Sequence, residues 1–306
     1  MFTFAFVIIY SISKVKGLIP YTINVNGRLI DLSEPKVMGI LNATSDSFYA
    51  GSRRQTEAEI EARAEQITAE GGDIIDVGAY STRPGAARVT QDEEMSRLRT
   101  ALAAVRRVQA DAVVSVDTFR PEVARMAVEE FGAGIINDIS GGNTDGAFGG
   151  EEMTEDAYRE YSCESMPPMF REAARLGVPY ILMSTRPNID SIMQDFARKI
   201  SLLRAVGQKD IILDPGFGFG KTLHENYALL AQVGRLRETG LPLLVGMSRK
   251  SMISRLLGTD ADGSLAGTLV ADTIAVLLGG ASILRVHDVK ACAEAVTIVK
   301  ETMKYV

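Results

Sequence analysis

The sequence predicts a (β/α)8 TIM barrel preceded by a short N-terminal β-hairpin. Three observations carry that expectation. Eight short apolar segments recur along the chain, amphipathic stretches separate them, and no linker divides the chain. Strands of a parallel sheet are covered on both faces and so read as near-continuous apolar runs. Eight is the number that closes such a sheet into a barrel. A doubly wound open sheet stays open as the alternative.

From Tyr21 the chain alternates, and INVNGRLI reads as a hairpin with Asn26-Gly27 as its turn. The eight strand candidates are Lys36–Asn42, Asp73–Val77, Val113–Asp117, Gly134–Ile139, Tyr180–Met183, Asp210–Asp214, Leu243–Gly246 and Ser282–Val286. Thr56 to Glu59 reads as a capping box, after which Ile60, Ala64 and Ile67 share a helical face. Thr90 and Glu93 repeat the device ahead of a stripe of Met95, Leu98, Leu102 and Val105. Cys292, Val296, Val299 and Met303 form a last stripe, which makes Cys292 a core residue rather than a nucleophile. Asn143 to Pro168 reads as an enlarged loop with an extra helix after the fourth strand.

Residues 19–306 are expected to form one domain. Phe2 to Ile12 is apolar but too short to span a bilayer, and neither a basic run before it nor a small-residue cleavage site accompanies it. Residues 1–18 are therefore expected to be an extension outside the fold, with a membrane-associated or exported form as the alternative. A net charge of −6 without any block of basic residues argues against nucleic acid as a partner. Two cysteines form neither a disulfide framework nor a metal-ligand spacing, as suits a reducing cytoplasm. No membrane partner is expected.

In a barrel of this kind chemistry sits at the C-terminal ends of the strands. Those ends carry Asn42, Asp76, Asp117-Thr118, Asn137-Asp138, Asp214-Pro-Gly, Ser248-Arg-Lys250 and Arg285-Val-His287, with Ser81-Thr-Arg-Pro-Gly85 one loop after Asp76. Polar groups thus recur at seven of eight strand ends. The segment DPGFGFGK, Asp214 to Lys221, is not a dinucleotide fingerprint, because Gly216, Gly218 and Gly220 have the wrong spacing. It is not a P-loop either, since Gly216 and Gly220 enclose three residues rather than four. It reads as a backbone surface for a flat ligand with Phe219 as an aromatic wall. Lys250 stands at a helix start, and Arg285 and His287 share one strand face, so an anionic group such as phosphate is the expected guest.

Seven segments in order resemble the dihydropteroate synthase family: MGILNATSDSF (Met38 to Phe48), DVGAYSTRPGA (Asp76 to Ala86), SVDT (Ser115 to Thr118), IIND (Ile135 to Asp138), LDPGFGFGK (Leu213 to Lys221), GMSRKSM (Gly246 to Met252) and RVHDV (Arg285 to Val289). The resemblance implies condensation of 6-hydroxymethyl-7,8-dihydropterin pyrophosphate with 4-aminobenzoate. It implies that Asp117, Asn137, Asp214 and Lys250 hold the pterin, with Asp117, Asp214 and Lys250 as the catalytic set. Asn42 would carry Mg²⁺ bound to the pyrophosphate, and Arg285 and His287 would hold the pyrophosphate itself. Thr82, Arg83 and Pro84 would lie near the aminobenzoate, and Ser251 would receive its carboxylate. Met183, Phe219 and Gly246 would line the substrate pocket. A homodimer is also implied. The sequence departs from the family pattern at Ser45, Ala50, Tyr80 and Ser184, where Pro, an acidic residue, Glu and His respectively are frequent. The nearest rival is a pterin-binding methyltransferase, which shares the aspartates but has no need of the SRK and RVH cations.

Overall fold

A computed structural model of the chain describes residues 20–43, 53–80, 89–143 and 166–305, with backbone alone at 53–55. The chain opens with β1 (Thr22–Val25) and β2 (Arg28–Asp31), an antiparallel hairpin. Asn26 and Gly27 both adopt positive φ, 52° and 84°, the left-handed pair that a two-residue hairpin turn requires. Next comes β3 (Lys36–Asn42), then α1 (Arg53–Ala69), β4 (Ile74–Gly78), α2 (Gln91–Val108), β5 (Val113–Asp117), α3 (Pro121–Phe131) and β6 (Ile135–Asp138). The chain continues with α4 (Pro168–Leu176), β7 (Tyr180–Met183), α5 (Ile189–Ala205), β8 (Ile211–Asp214) and α6 (Leu223–Gln232). It closes with β9 (Leu243–Val245), α7 (Ser251–Leu257), α8 (Leu265–Ile274), β10 (Ala281–Val286) and α9 (Val289–Met303). Strands β3 to β10 form a closed barrel in chain order, all neighbours parallel, with β10 returning to β3. The expected strands thus appear within a residue or so of their ends, and the open-sheet alternative falls away.

Two apolar clusters hold this shape. The larger fills the space between the outward strand faces and the helices, and it contains Ile60, Ala64 and Ile67 of α1, Leu98, Leu102 and Val105 of α2, and Cys292, Val296 and Val299 of α9. The smaller lies inside the barrel at its N-terminal end. There Met38, Ile74, Ile135, Ile181, Ile212, Leu244 and Ile283, one from each of seven strands, pack against Ile23 and Val25 of the hairpin. Asn26 Nδ2 ties the hairpin to the Gly132 carbonyl at 2.9 Å, and the Asn24 amide ties it to Asp210 at 2.9 Å. The hairpin therefore plugs the floor of the barrel and leaves the other end to carry polar groups.

One expected cap is corrected. Thr56 lies inside α1, which already runs from Arg53, so it does not stand at the N-cap position, and it is buried. The Thr-x-x-Glu spacing matches a cap, but it recurs inside helices as well, and Ile60, Ala64 and Ile67 of α1 pack into the core whichever residue starts the helix. Thr90 does cap α2, accepting from the Glu93 amide at 3.3 Å, while Glu93 turns to pair with Arg97 instead of completing the box. The expected features at Asn143 to Pro168 fall mostly outside the described residues, as do residues 1–18. Asp262–Gly279 has the length and composition of a membrane span, but it is broken into a 3-10 turn, α8 and a π turn and packs on α9 and β10.

Candidate active site

The strand period of two places the site. Two residues beyond the apolar floor on the same strand faces stand Ile40, Asp76, Ser115, Asn137, Met183, Asp214, Gly246 and Arg285. The layer above them carries Asn42, Asp117 and, just past β10, His287. A polar layer inside a barrel is costly unless its groups are matched. Here the matching is partial. Arg285 donates from Nε to Asp76 at 2.6 Å and from Nη2 to Asp117 at 2.7 Å. Asn137 Nδ2 donates to Asp76 at 3.2 Å. Asp76 Oδ1, Ser115 Oγ and Asn137 Oδ1 are buried and have no hydrogen-bond partner among the described residues.

The charges here are set by burial. Burial pushes the Asp117 carboxyl up to about 7, with Arg285 pulling it back and Asp76 adding to the rise. Burial likewise raises Asp214, against the pull of Lys250. Lys250 is pushed down to about 8 by burial, with Asp214 opposing. Arg285 stays cationic, because Asp76 and Asp117 outweigh the cost of its burial. Asp138, by contrast, is spent on structure. It accepts from Ser140 Oγ, from the Ser140 and Gly142 amides and from Tyr180, which orders the turn after β6.

The DPGFGFGK segment wraps one wall of the site. Gly216 has φ 68°, and a Cβ there would run into the Ser184 carbonyl oxygen. Gly218 has φ 79°, and a Cβ there would come within 2.8 Å of Lys250 Cδ. Lys221 makes its hydrogen bonds to backbone carbonyls. Its Nζ caps the Gly216 and Phe219 carbonyls at 2.9 and 3.3 Å, fixing the loop from behind. Lys250 donates to the Phe217 carbonyl and lies 4.5 Å above the Phe219 ring, so the expected aromatic wall and cation adjoin. Met183 is buried beside Gly216. Ser251 is exposed at the first position of α7.

Asn42 and His287 line a cavity of about 600 Å³, together with Arg63, Arg249 and Asp288. Arg249 adopts φ 56° and clamps Asp288 through Nε at 2.8 Å and Nη2 at 2.6 Å, which joins the loops after β9 and β10. Arg63 of α1 donates to the Ile40 carbonyl at 3.3 Å and the His287 carbonyl at 2.7 Å. Arg285 lies on β10, whereas His287 stands one residue past its end, so the two do not share a strand face: Arg285 reaches the carboxylates while His287 meets Ser248 at 3.1 Å. Among the described residues no three or more His, Cys, Asp and Glu side chains gather as a metal cage.

Two departures from the family pattern also find their places. Tyr80 stacks edge-on against Phe119 with centroids 5.2 Å apart, and Arg120 lies 5.4 Å from its ring. Ser184 donates to Asp195 at 2.7 Å, where Lys199 is the second partner at 3.1 Å. The expected roles of Thr82, Arg83 and Pro84, and the departures at Ser45 and Ala50, fall outside the described residues. Sequence reasoning gave no role to Asp76, Ser115, Ser248 or Arg63. For the first two a signal existed: each stands two residues beyond an apolar floor residue on its strand.

A parallel barrel whose mouth gathers buried acceptors, cations and a glycine-lined wall defines a class of small-molecule-binding barrel enzymes. A family model described as pterin binding enzyme matches residues 38–287, and the chain belongs to that family. Within it, the Escherichia coli dihydropteroate synthase is 38% identical over 292 residues, covering 90% of this chain and 95% of that enzyme. The Xanthomonas albilineans dihydropteroate synthase, solved with 4-aminobenzoic acid, is 34% identical with a TM-score of 0.77, covering 92% of this chain and 98% of that one. The Yersinia pestis enzyme with a pterin–sulfa conjugate is 35% identical with a TM-score of 0.75, covering 93% of this chain and 100% of that one.

Proposed function

We propose that this chain carries out the dihydropteroate synthase reaction, joining 4-aminobenzoate to 6-hydroxymethyl-7,8-dihydropterin pyrophosphate with loss of pyrophosphate. The observation that carries this reading is the set of buried polar atoms without partners among the described residues, Asp76 Oδ1, Ser115 Oγ and Asn137 Oδ1, beside the carboxylates of Asp117 and Asp214. A pterin presents ring N–H and amino donors, and such a layer of acceptors suits them. A buried acceptor left unpaired costs about 1–3 kcal/mol, so an analogue lacking the donors is rejected by that cost at each site.

In the proposed reaction the arylamine nitrogen attacks the methylene carbon outside the pterin ring. The C–O bond to pyrophosphate breaks, the leaving group departs with the electron pair, and the amine loses a proton. An arylamine is already a nucleophile, so no protein base is needed. Asp117 and Asp214 hold the pterin and oppose the positive charge that develops on the ring as the bond breaks. Their raised pKa values, due to burial, mean that each carboxylate is poorly solvated and gains most from a donor. Lys250 would contact the pterin between Asp214 and Phe219. Arg285 and His287 would face the pyrophosphate, and Ser251 the carboxylate of the aminobenzoate.

Mg²⁺ is part of the proposal. The donor set fits it: Asn42 offers one exposed amide oxygen at the strand end, and Mg²⁺ characteristically keeps its waters and binds one or two protein oxygens plus substrate phosphate. Asn42 would hold the ion, which when bound neutralises pyrophosphate charge. The reading places the enzyme in the cytoplasm as a homodimer, which sedimentation measures. Mixing the protein with the dihydropterin substrate tests the activity. Pyrophosphate release that depends on both 4-aminobenzoate and Mg²⁺ supports it, and release with neither, or none with both, overturns it.

A further inference from the structure

The chain has two histidines, and one of them, His287, is held unusually completely. Its backbone amide donates to Ser248 Oγ at 3.1 Å, its carbonyl accepts from Arg63 Nη2 at 2.7 Å, and its ring Nδ1 stands 3.1 Å from the same Ser248 Oγ. Arg63 also holds the Ile40 carbonyl, two residues before Asn42, so one guanidinium joins the strand that carries Asn42 to the residue facing it across the cavity. Gln66, bonded to Arg63 at 3.0 Å, in turn engages Glu70, which accepts from the Lys290 amide at 3.3 Å. The segment from His287 to Lys290 is thus fixed from α1, while Arg249 fixes Asp288 from the other side.

The proton count at Ser248 decides the state of the ring. The serine is buried, and its hydroxyl has one proton to give. It already accepts the His287 amide, and the acceptor it meets among the described residues is Nδ1. Were Nδ1 protonated, the hydroxyl would receive two donors and its own proton would be buried without an acceptor, at a cost of the kind that native structures avoid. We infer that Ser248 and Arg63 are positioning residues that fix His287 as the tautomer with Nδ1 accepting and Nε2–H donating. Nε2–H is the donor with which the ring meets an anionic oxygen in the cavity shared with Asn42. The consequence for pyrophosphate rests on the proposed reaction. The tautomer does not.

The test is a two-bond proton–nitrogen correlation spectrum of the substrate-free full chain with labelled histidine, in which the two ring nitrogens report which one carries the proton. His224, exposed on α6, supplies the second signal and is removed for assignment by His224→Gln, with activity unchanged. The expected spectrum shows His287 protonated at Nε2 in the native chain and in Ser248→Thr, and a mixture of tautomers in Ser248→Ala. Steady-state kinetics of Ser248→Ala and Arg63→Lys should lose about fivefold to tenfold in kcat/KM for the pterin pyrophosphate, the worth of one net hydrogen bond, with KM for 4-aminobenzoate unmoved. A native His287 protonated at Nδ1, or a tautomer unchanged in Ser248→Ala, overturns the inference even where pyrophosphate is released. A native chain that releases none, with the expected tautomer, overturns the proposed reaction and leaves the inference about Ser248 standing.

Discussion

The guanidinium of Arg285 lies between the carboxylates of Asp76 and Asp117, and this single placement governs much of the site's behaviour. Asp76 serves Arg285 and Asn137 through one oxygen and keeps the other aimed into the barrel. Replacing Asp76 with Asn removes a charge beneath Arg285 and an acceptor at once. The expected loss in kcat/KM is about 10²-fold, the size of an interaction strengthened in the transition state. Lys250→Ala and Asp214→Ala should lose a similar amount, and steady-state kinetics reads all three. The same groups set the pH profile. Asp117 is raised to about 7, and its acceptor form is lost as pH falls below that. Lys250 is lowered to about 8, and its cation is lost as pH rises above that. The profile of kcat/KM should therefore be a narrow bell between these values, and Lys250→Arg should extend its alkaline limb.

At the scale of elements, the loop after β8 and the helix α8 make separate predictions. Gly216 cannot carry a side chain, because its φ is positive and the Ser184 carbonyl occupies the place of a Cβ. Gly216→Ala should cost about 2 kcal/mol or more of unfolding free energy by denaturant titration. In α8 both carboxylate oxygens of Asp272 are buried without a hydrogen-bond partner among the described residues, and burial raises its pKa from 3.8 to about 7. Below the unfolded value the acid is protonated in both states and costs nothing. As pH rises towards about 7, the unfolded chain ionises first and stability is lost. Asp272→Asn should thus stabilise the fold at pH 8 by on the order of 2 kcal/mol, and the gain should vanish near pH 4.

The same elements show what a sequence can and cannot convey. The strands were legible because each is an apolar run bounded by a polar residue or a turn, and a parallel barrel buries both faces of every strand. The site residues at their ends were legible for the same reason: charge stands where the apolar run stops. Thr56 misled because its spacing matched a cap, whereas the packing of Ile60, Ala64 and Ile67 governs where α1 runs. Arg63 and Ser248 were invisible because their partners are a backbone carbonyl and a ring nitrogen more than 35 positions away. Nothing local marks such contacts. Lys221 ends a segment that resembles a phosphate loop without its spacing, and its partners are carbonyls of its own loop, which no local pattern marks.

Across the whole molecule, stability and chemistry sit at opposite ends. The hairpin and the apolar floor close the N-terminal end, and the polar layers occupy the other. Ile23→Ala should therefore cost about 2–5 kcal/mol of stability by opening a cavity in the floor, while leaving KM for both substrates nearly unchanged at a temperature where the variant is folded. The central claim is that the polar layer above that floor binds a dihydropterin pyrophosphate for attack by an arylamine. Its most direct measurement is the pyrophosphate released by the purified chain from 6-hydroxymethyl-7,8-dihydropterin pyrophosphate. Release that requires 4-aminobenzoate and Mg²⁺, and that falls about 10²-fold in Asp214→Ala, is the expected result. Absence of release with all three components present, or release undiminished in Asp214→Ala, would contradict it.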